Sequence, residues 1–90
     1  MLNRKAKGSR NERRSRALQE VAGYAVTRAA ASLGAFNLVG VGSTDVVLVQ
    51  VKTRGWPGAV EMETIRLFRC PANCRKLVHR WRLSAADAGR

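Results

Sequence analysis

Asp45-Val46-Val47-Leu48-Val49-Gln50-Val51-Lys52 is the stretch that decides the fold. It is β-branched and apolar on both faces until its last three residues, the pattern of a strand buried in the centre of a sheet. Reading outward, Gly42-Ser43-Thr44 is a turn and Phe36 to Val41 a second strand, so the two form a hairpin. Tyr24 to Arg28 alternates as a strand, joined by a connection over Ala29 to Ala35. Downstream, Thr53 to Gly58 is a loop, Val60 to Phe68 has helical spacing, and Lys76 to Leu83 alternates again. At the other end, Ser9 precedes Glu12 by three residues as in a capping box, which predicts a helix over residues 9–22 that Gly23 stops. That helix is read with Ala17, Leu18, Val21 and Ala22 on an apolar side and cations on the other. The order predicts an α/β protein: an αβββαβ core with a mixed sheet flanked by helices. Its divisions are a basic arm (1–8), one domain (9–83) and a polar tail (84–90).

The 90 residues carry 17 Lys and Arg against six Asp and Glu, a net charge of +11, and 46% are hydrophobic. That is one small domain with a core, not a disordered basic tail. An excess of this size favours a polyanion, with nucleic acid the first candidate. No apolar run reaches the roughly 18 residues of a membrane span, so the expected location is the cytoplasm. Seven cations lie between Arg4 and Arg16: Arg4, Lys5, Lys7, Arg10, Arg13, Arg14 and Arg16. Cys70 and Cys74 with the single His79 cannot complete a zinc site in one chain. A disulfide across so short a loop would add little, and they are read as two loop thiols.

The end of the central run carries the chemistry. Gln50 and Lys52 sit two apart and project to one face. Either the strand has reached solvent there, or an oxygen ligand holds a divalent cation while Lys52 polarises water or steadies a phosphate. The hairpin brings Asn37 to within about two residues of level with Gln50. Asp45 lies about 17 Å from Gln50 at roughly 3.4 Å per residue and is a turn residue.

These residues carry a resemblance. Lys7-Gly8 with Glu12, Gly23 to Arg28, Ser32, Phe36-Asn37-Leu38-Val39 and Val49-Gln50-Val51-Lys52 resemble the PD-(D/E)XK nuclease superfamily. Within it they are similar to the compact archaeal-type Holliday junction resolvases, phage versions included. The resemblance implies a restriction-endonuclease-like core, a homodimer, and magnesium-dependent cleavage of four-way DNA junctions, with manganese as an alternative metal. Carried over, it implies catalytic roles for Glu12, Ser32, Asn37, Gln50 and Lys52. The metal ligands would be Glu12, Asn37, Gln50 and the main-chain carbonyl of Val51. Asn37 stands where the family has its principal aspartate and Gln50 where it has an acid. Both exchanges remove negative charge from a site for a hard dication. Asn37 is either a natural departure or an inactivating substitution, and the sequence leaves both open.

The expected DNA-binding residues are Arg4, Lys5, Lys7, Arg10, Arg13, Arg14, Arg54 and Trp56. Trp56 either stacks on a distorted base or caps the core. Glu61 and Glu63 open the second helix, where carboxylates suit the macrodipole; the alternative is that one has moved towards the metal to replace lost charge. Trp81 and His79 are read as core or dimer contacts. Met62, Ile65, Leu67 and Phe68 are either core packing or a subunit interface, the interface being favoured because a two-fold partner fits a two-fold junction. The competing reading of the whole is a non-catalytic basic nucleic-acid-binding protein.

Overall fold

The computed structural model describes residues 4–29, 34–53 and 55–81. The elements follow the order α1 (Arg4–Val21), β1 (Ala25–Arg28), β2 (Leu38–Val41), β3 (Val46–Lys52), α2 (Ala59–Leu67) and β4 (Cys74–Arg80). The four strands form one sheet in the order β1-β2-β3-β4. The first three pair antiparallel, with Leu38 opposite Val49 and Val41 opposite Val46. Strand β4 runs parallel to β3, from Val46–Cys74 to Lys52–Arg80. A parallel neighbour needs a crossover, and α2 supplies it. The fold is therefore α/β, a mixed sheet flanked by two helices.

Strand β3 is internal and buried on both faces, as its apolar run requires. Val47 and Val49 join Val26 and Leu38 in one core cluster, while Leu48 joins Phe36 and Ile65 in another. The second cluster lies under α2, where the Phe68 ring meets Phe36 edge-on at 5.3 Å. Ile65 and Phe68 are thus core residues rather than interface residues; Met62 and Leu67 remain exposed. The 42–45 turn closes through Gly42 N–H to the Asp45 carbonyl (2.8 Å), and both Asp45 oxygens accept from Tyr24 Oη. A Cβ on Gly42 would stand 2.8 Å from the Tyr24 ring, so only glycine fits there.

Helix α1 departs from expectation at its start. It begins at Arg4, not at residue 9. Arg4, Lys5, Ala6 and Lys7 are good helix formers, and one interior Gly8 costs only about 1 kcal/mol. The helix runs through residue 9, so it does not start there, and residues 4, 5 and 7 belong to its first turns instead of a separate arm. Its end is as expected: Gly23 has φ +103°, with Gly23 N–H to Glu20 O and Tyr24 N–H to Gln19 O, a Schellman closure.

The buried face of α1 is the larger correction. Leu18 and Val21 are exposed, and the buried stripe is Asn11, Ser15 and Gln19, spaced four apart. Each has a polar partner across the sheet. Asn11 Nδ2 donates to Thr53 Oγ1 (3.2 Å), and Trp81 Nε1 donates to Ser15 Oγ (2.8 Å). The same Ser15 Oγ lies 2.8 Å from His79 Nδ1, and Gln19 Nε2 lies 3.4 Å from His79 Nε2. A polar stripe is buried here because its hydrogen bonds are met.

Cys70 and Cys74 form a disulfide, contrary to the reading as free thiols. The turn from Pro71, closed by Cys74 N–H to Pro71 O, brings their Cα atoms to 5.8 Å, within bridging range.

Candidate metal and phosphate site

The C-terminal end of β3 meets the start of α2 and the middle of α1. Gln50 is buried, and its Nε2 donates to Glu61 Oε2 (3.1 Å). Lys52 Nζ lies 3.3 Å from Glu61 Oε1. Glu61 stands three residues after Gly58, the cap of α2, and its Oε1 also accepts Gly58 N–H at 3.2 Å. The Gly58 N–H is the main cause holding the Glu61 carboxyl below the ordinary carboxylate range; burial opposes it, and Lys52 and Gln50 add to it. Glu61 therefore does more than offset the helix dipole. It has joined Gln50 and Lys52, whereas Glu63 faces away and pairs with Arg66 (2.6 Å).

Asn37 spans Gln50. Its backbone N–H donates to Val49 O (2.7 Å) and its Oδ1 accepts Val51 N–H (2.6 Å). Its Nδ2 reaches Glu12 Oε2 at 3.5 Å, and Glu12 Oε1 is paired with Arg28 Nε at 3.3 Å. Asn37 thus joins Glu12 of the helix to the Val51 backbone, while Glu61 joins Gln50 to Lys52. Ser32 and Arg54 lie outside the described residues.

One atom in this group stands apart. Gln50 Oε1 is buried and has no hydrogen-bond partner among the described residues. A buried unsatisfied acceptor costs about 1–3 kcal/mol, so in a stable fold it is met by a water or an ion. The oxygen donors at this end of β3 are the Glu61 carboxylate, bonded to the same Gln50 side chain, and the Glu12 carboxylate, reached through Asn37, both hard oxygens of the kind magnesium takes. No group of three or more His, Cys, Asp or Glu residues converges among the described residues. The two carboxylates also begin paired, Glu12 with Arg28 and Glu61 with Lys52. The residues fit a divalent cation in donor type, but with no spare local negative charge.

The cationic features are spread around this end. Arg10, Arg13 and Arg14 are exposed on α1, and Arg14 lies over the Trp81 ring at 5.6 Å. Trp56 is 64% exposed, so it does not cap the core; Arg80 lies 5.0 Å over its ring. Sequence reasoning underrated Glu61 and missed Arg28. The signal for Glu61 was an acid at the third position of a helix whose entry loop starts beside Lys52. Arg28 gave none, since its partner Glu12 lies one helix earlier.

No helix among the described residues is long and apolar enough to cross a membrane. No protein-family model matches the chain, no curated protein matches it, and no solved structure matches it.

Proposed function

We propose that this chain is a metal-dependent, structure-selective DNA endonuclease of the kind that resolves four-way junctions, acting as a homodimer with its activity reduced by Asn37. The observation that carries the reading is the orphaned Gln50 Oε1, buried beside Glu61 and Lys52 and spanned by Asn37. Magnesium bound there would activate a water and neutralise charge developing on phosphoryl oxygens. Gln50 Oε1, Glu61, Glu12 and the Val51 carbonyl would hold it. Lys52 Nζ, released from Glu61, would stand ready to steady a phosphate oxygen. Asn37 Oδ1 is committed to Val51 N–H, so in this chain it positions the strand end.

A second reading is favoured by one observation. Each candidate carboxylate is already neutralised by a cation, which suits a basic nucleic-acid-binding protein that does not cut. The experiment that separates the two is Asn37→Asp, incubated with magnesium and a four-way DNA junction. Cleavage raised by orders of magnitude over the parent supports the nuclease. Absence of magnesium-dependent cutting of branched or duplex DNA in the variant sinks it and leaves the binder.

A further inference from the structure

Between α1 and the sheet edge at β1 lies a pocket of about 140 Å³ lined by Glu12, Arg13, Arg16, Arg28 and the buried Leu38. Three arginines and one glutamate border this small space. Arg16 is paired with Glu20 at 3.0 Å and Arg28 with Glu12 at 3.3 Å. Arg28 is held only loosely, with 76% of its side chain exposed. Arg13 makes no ion pair among the described residues.

We propose that this pocket binds a single phosphate group, and that an arriving phosphate draws Arg28 away from Glu12. Planar guanidinium forks match phosphate oxygens in pairs, so a tetrahedral anion can engage more than one of these arginines at once. Buried Leu38 supplies an apolar wall that excludes water from one side and strengthens such contacts. Glu12 bounds the pocket and also reaches Asn37 at 3.5 Å. Phosphate capture would therefore free the Glu12 carboxylate at the edge of the candidate metal site. The inference deepens the nuclease reading and rests on it for the meaning of that release, though not for the binding itself. Two sources share the chemistry: an internal backbone phosphodiester and a terminal phosphate monoester.

The test is a nuclear magnetic resonance titration of the full chain, following the Leu38 methyls and the arginine Nε–H signals. The probes are inorganic phosphate, then short DNA hairpins with a 5′-hydroxyl or a 5′-phosphate, each at constant ionic strength in chloride. Phosphate should shift Leu38 and the Arg28 Nε–H saturably, where chloride does not. Of the hairpins, a shift with the 5′-hydroxyl form assigns the pocket to backbone phosphates, and a shift with the 5′-phosphate form alone assigns it to strand ends. Glu12→Gln removes the competitor for Arg28 and should tighten phosphate binding several-fold, whereas Glu63→Gln, with the same change in net charge on the remote α2, should leave it unchanged. An unmoved Leu38 under phosphate, or equal effects of the two Gln variants, overturns the proposal. A protein that cuts junctions as Asn37→Asp yet fails these tests loses the pocket and keeps the nuclease reading. One that takes phosphate here and never cuts keeps the pocket and loses the nuclease.

Discussion

Gln50 sets the terms at the scale of a residue. Its Nε2 is bonded to Glu61, its Oε1 is bonded to nothing among the described residues, and both atoms are enclosed. Replacing it by Met keeps the length, loses one hydrogen bond of about 1 kcal/mol and removes an orphan costing about 1–3 kcal/mol. Gln50→Met is therefore expected to leave stability unchanged or raise it by about 1 kcal/mol in urea denaturation. The same variant should lose any stabilisation that added magnesium gives the parent. A drop of several kcal/mol would mean that Gln50 Oε1 has a protein partner in solution and is not a metal ligand. This position was legible in the sequence: a polar residue two before a lysine at the end of an apolar strand. Its companion Glu61 was harder, because an acid at the start of a helix has a sufficient explanation in the dipole alone.

At the scale of an element, α1 is held by polar contacts, and pH should loosen it. His79 of β4 is packed against Ser15 and Gln19, beside Trp81 and the Arg14 that covers it. No carboxylate is bonded to its ring among the described residues, and burial pushes its pKa below the ordinary 6.5. The unfolded chain then takes up a proton before the folded one does. His79 accordingly contributes stability in full above pH 6.5, and the contribution falls away as pH drops from there towards the folded pKa. In a Trp56→Phe background the fluorescence of Trp81 should report the loss, and His79→Gln should flatten it. Ser15→Ala is the sharper perturbation. It strands the Trp81 Nε1 donor and the His79 Nδ1 atom together, at an expected cost of about 2 kcal/mol or more at neutral pH, measured by urea denaturation. This stripe is also where sequence reading failed. Helical patterning assumes that the apolar side goes in, but Asn11, Ser15 and Gln19 find their partners 42 to 66 residues away. No local pattern reveals a hydrogen bond to a strand that lies so far along the chain. Strand β3 was read correctly for the opposite reason: a strand whose Val47, Leu48, Val49 and Gln50 are all buried leaves its mark in the residues themselves.

At the scale of the whole molecule, charge is the dominant fact. A net +11 on 90 residues must be held near its counterions, and DNA binding should release them. Observed affinity should fall by about 0.9 log units per log unit of salt for each phosphate neutralised. Arg10 and Arg13 are exposed on α1 and tied to no other described group by an ion pair, whereas Arg14 is also packed on Trp81. The three should therefore behave differently. Arg10→Ala and Arg13→Ala are each expected to flatten the salt dependence of junction binding without moving the urea midpoint. Arg14→Ala should do both, because it removes a cation–π contact of about 0.5–1 kcal/mol as well as a charge. Binding measured at several salt concentrations beside denaturation of the same variants checks this. If all three leave the slope unchanged, α1 is not the surface that meets phosphate. In that case the cations beyond the candidate site, rather than those of the first helix, carry the attraction. Lys52 gives the complementary case: as one cation among 17 it hardly alters total phosphate contact. Lys52→Ala in the Asn37→Asp background should abolish cutting while junction affinity stays near the parent value. An equal loss of binding and cutting would place Lys52 with the scaffold of charge and not with the chemistry.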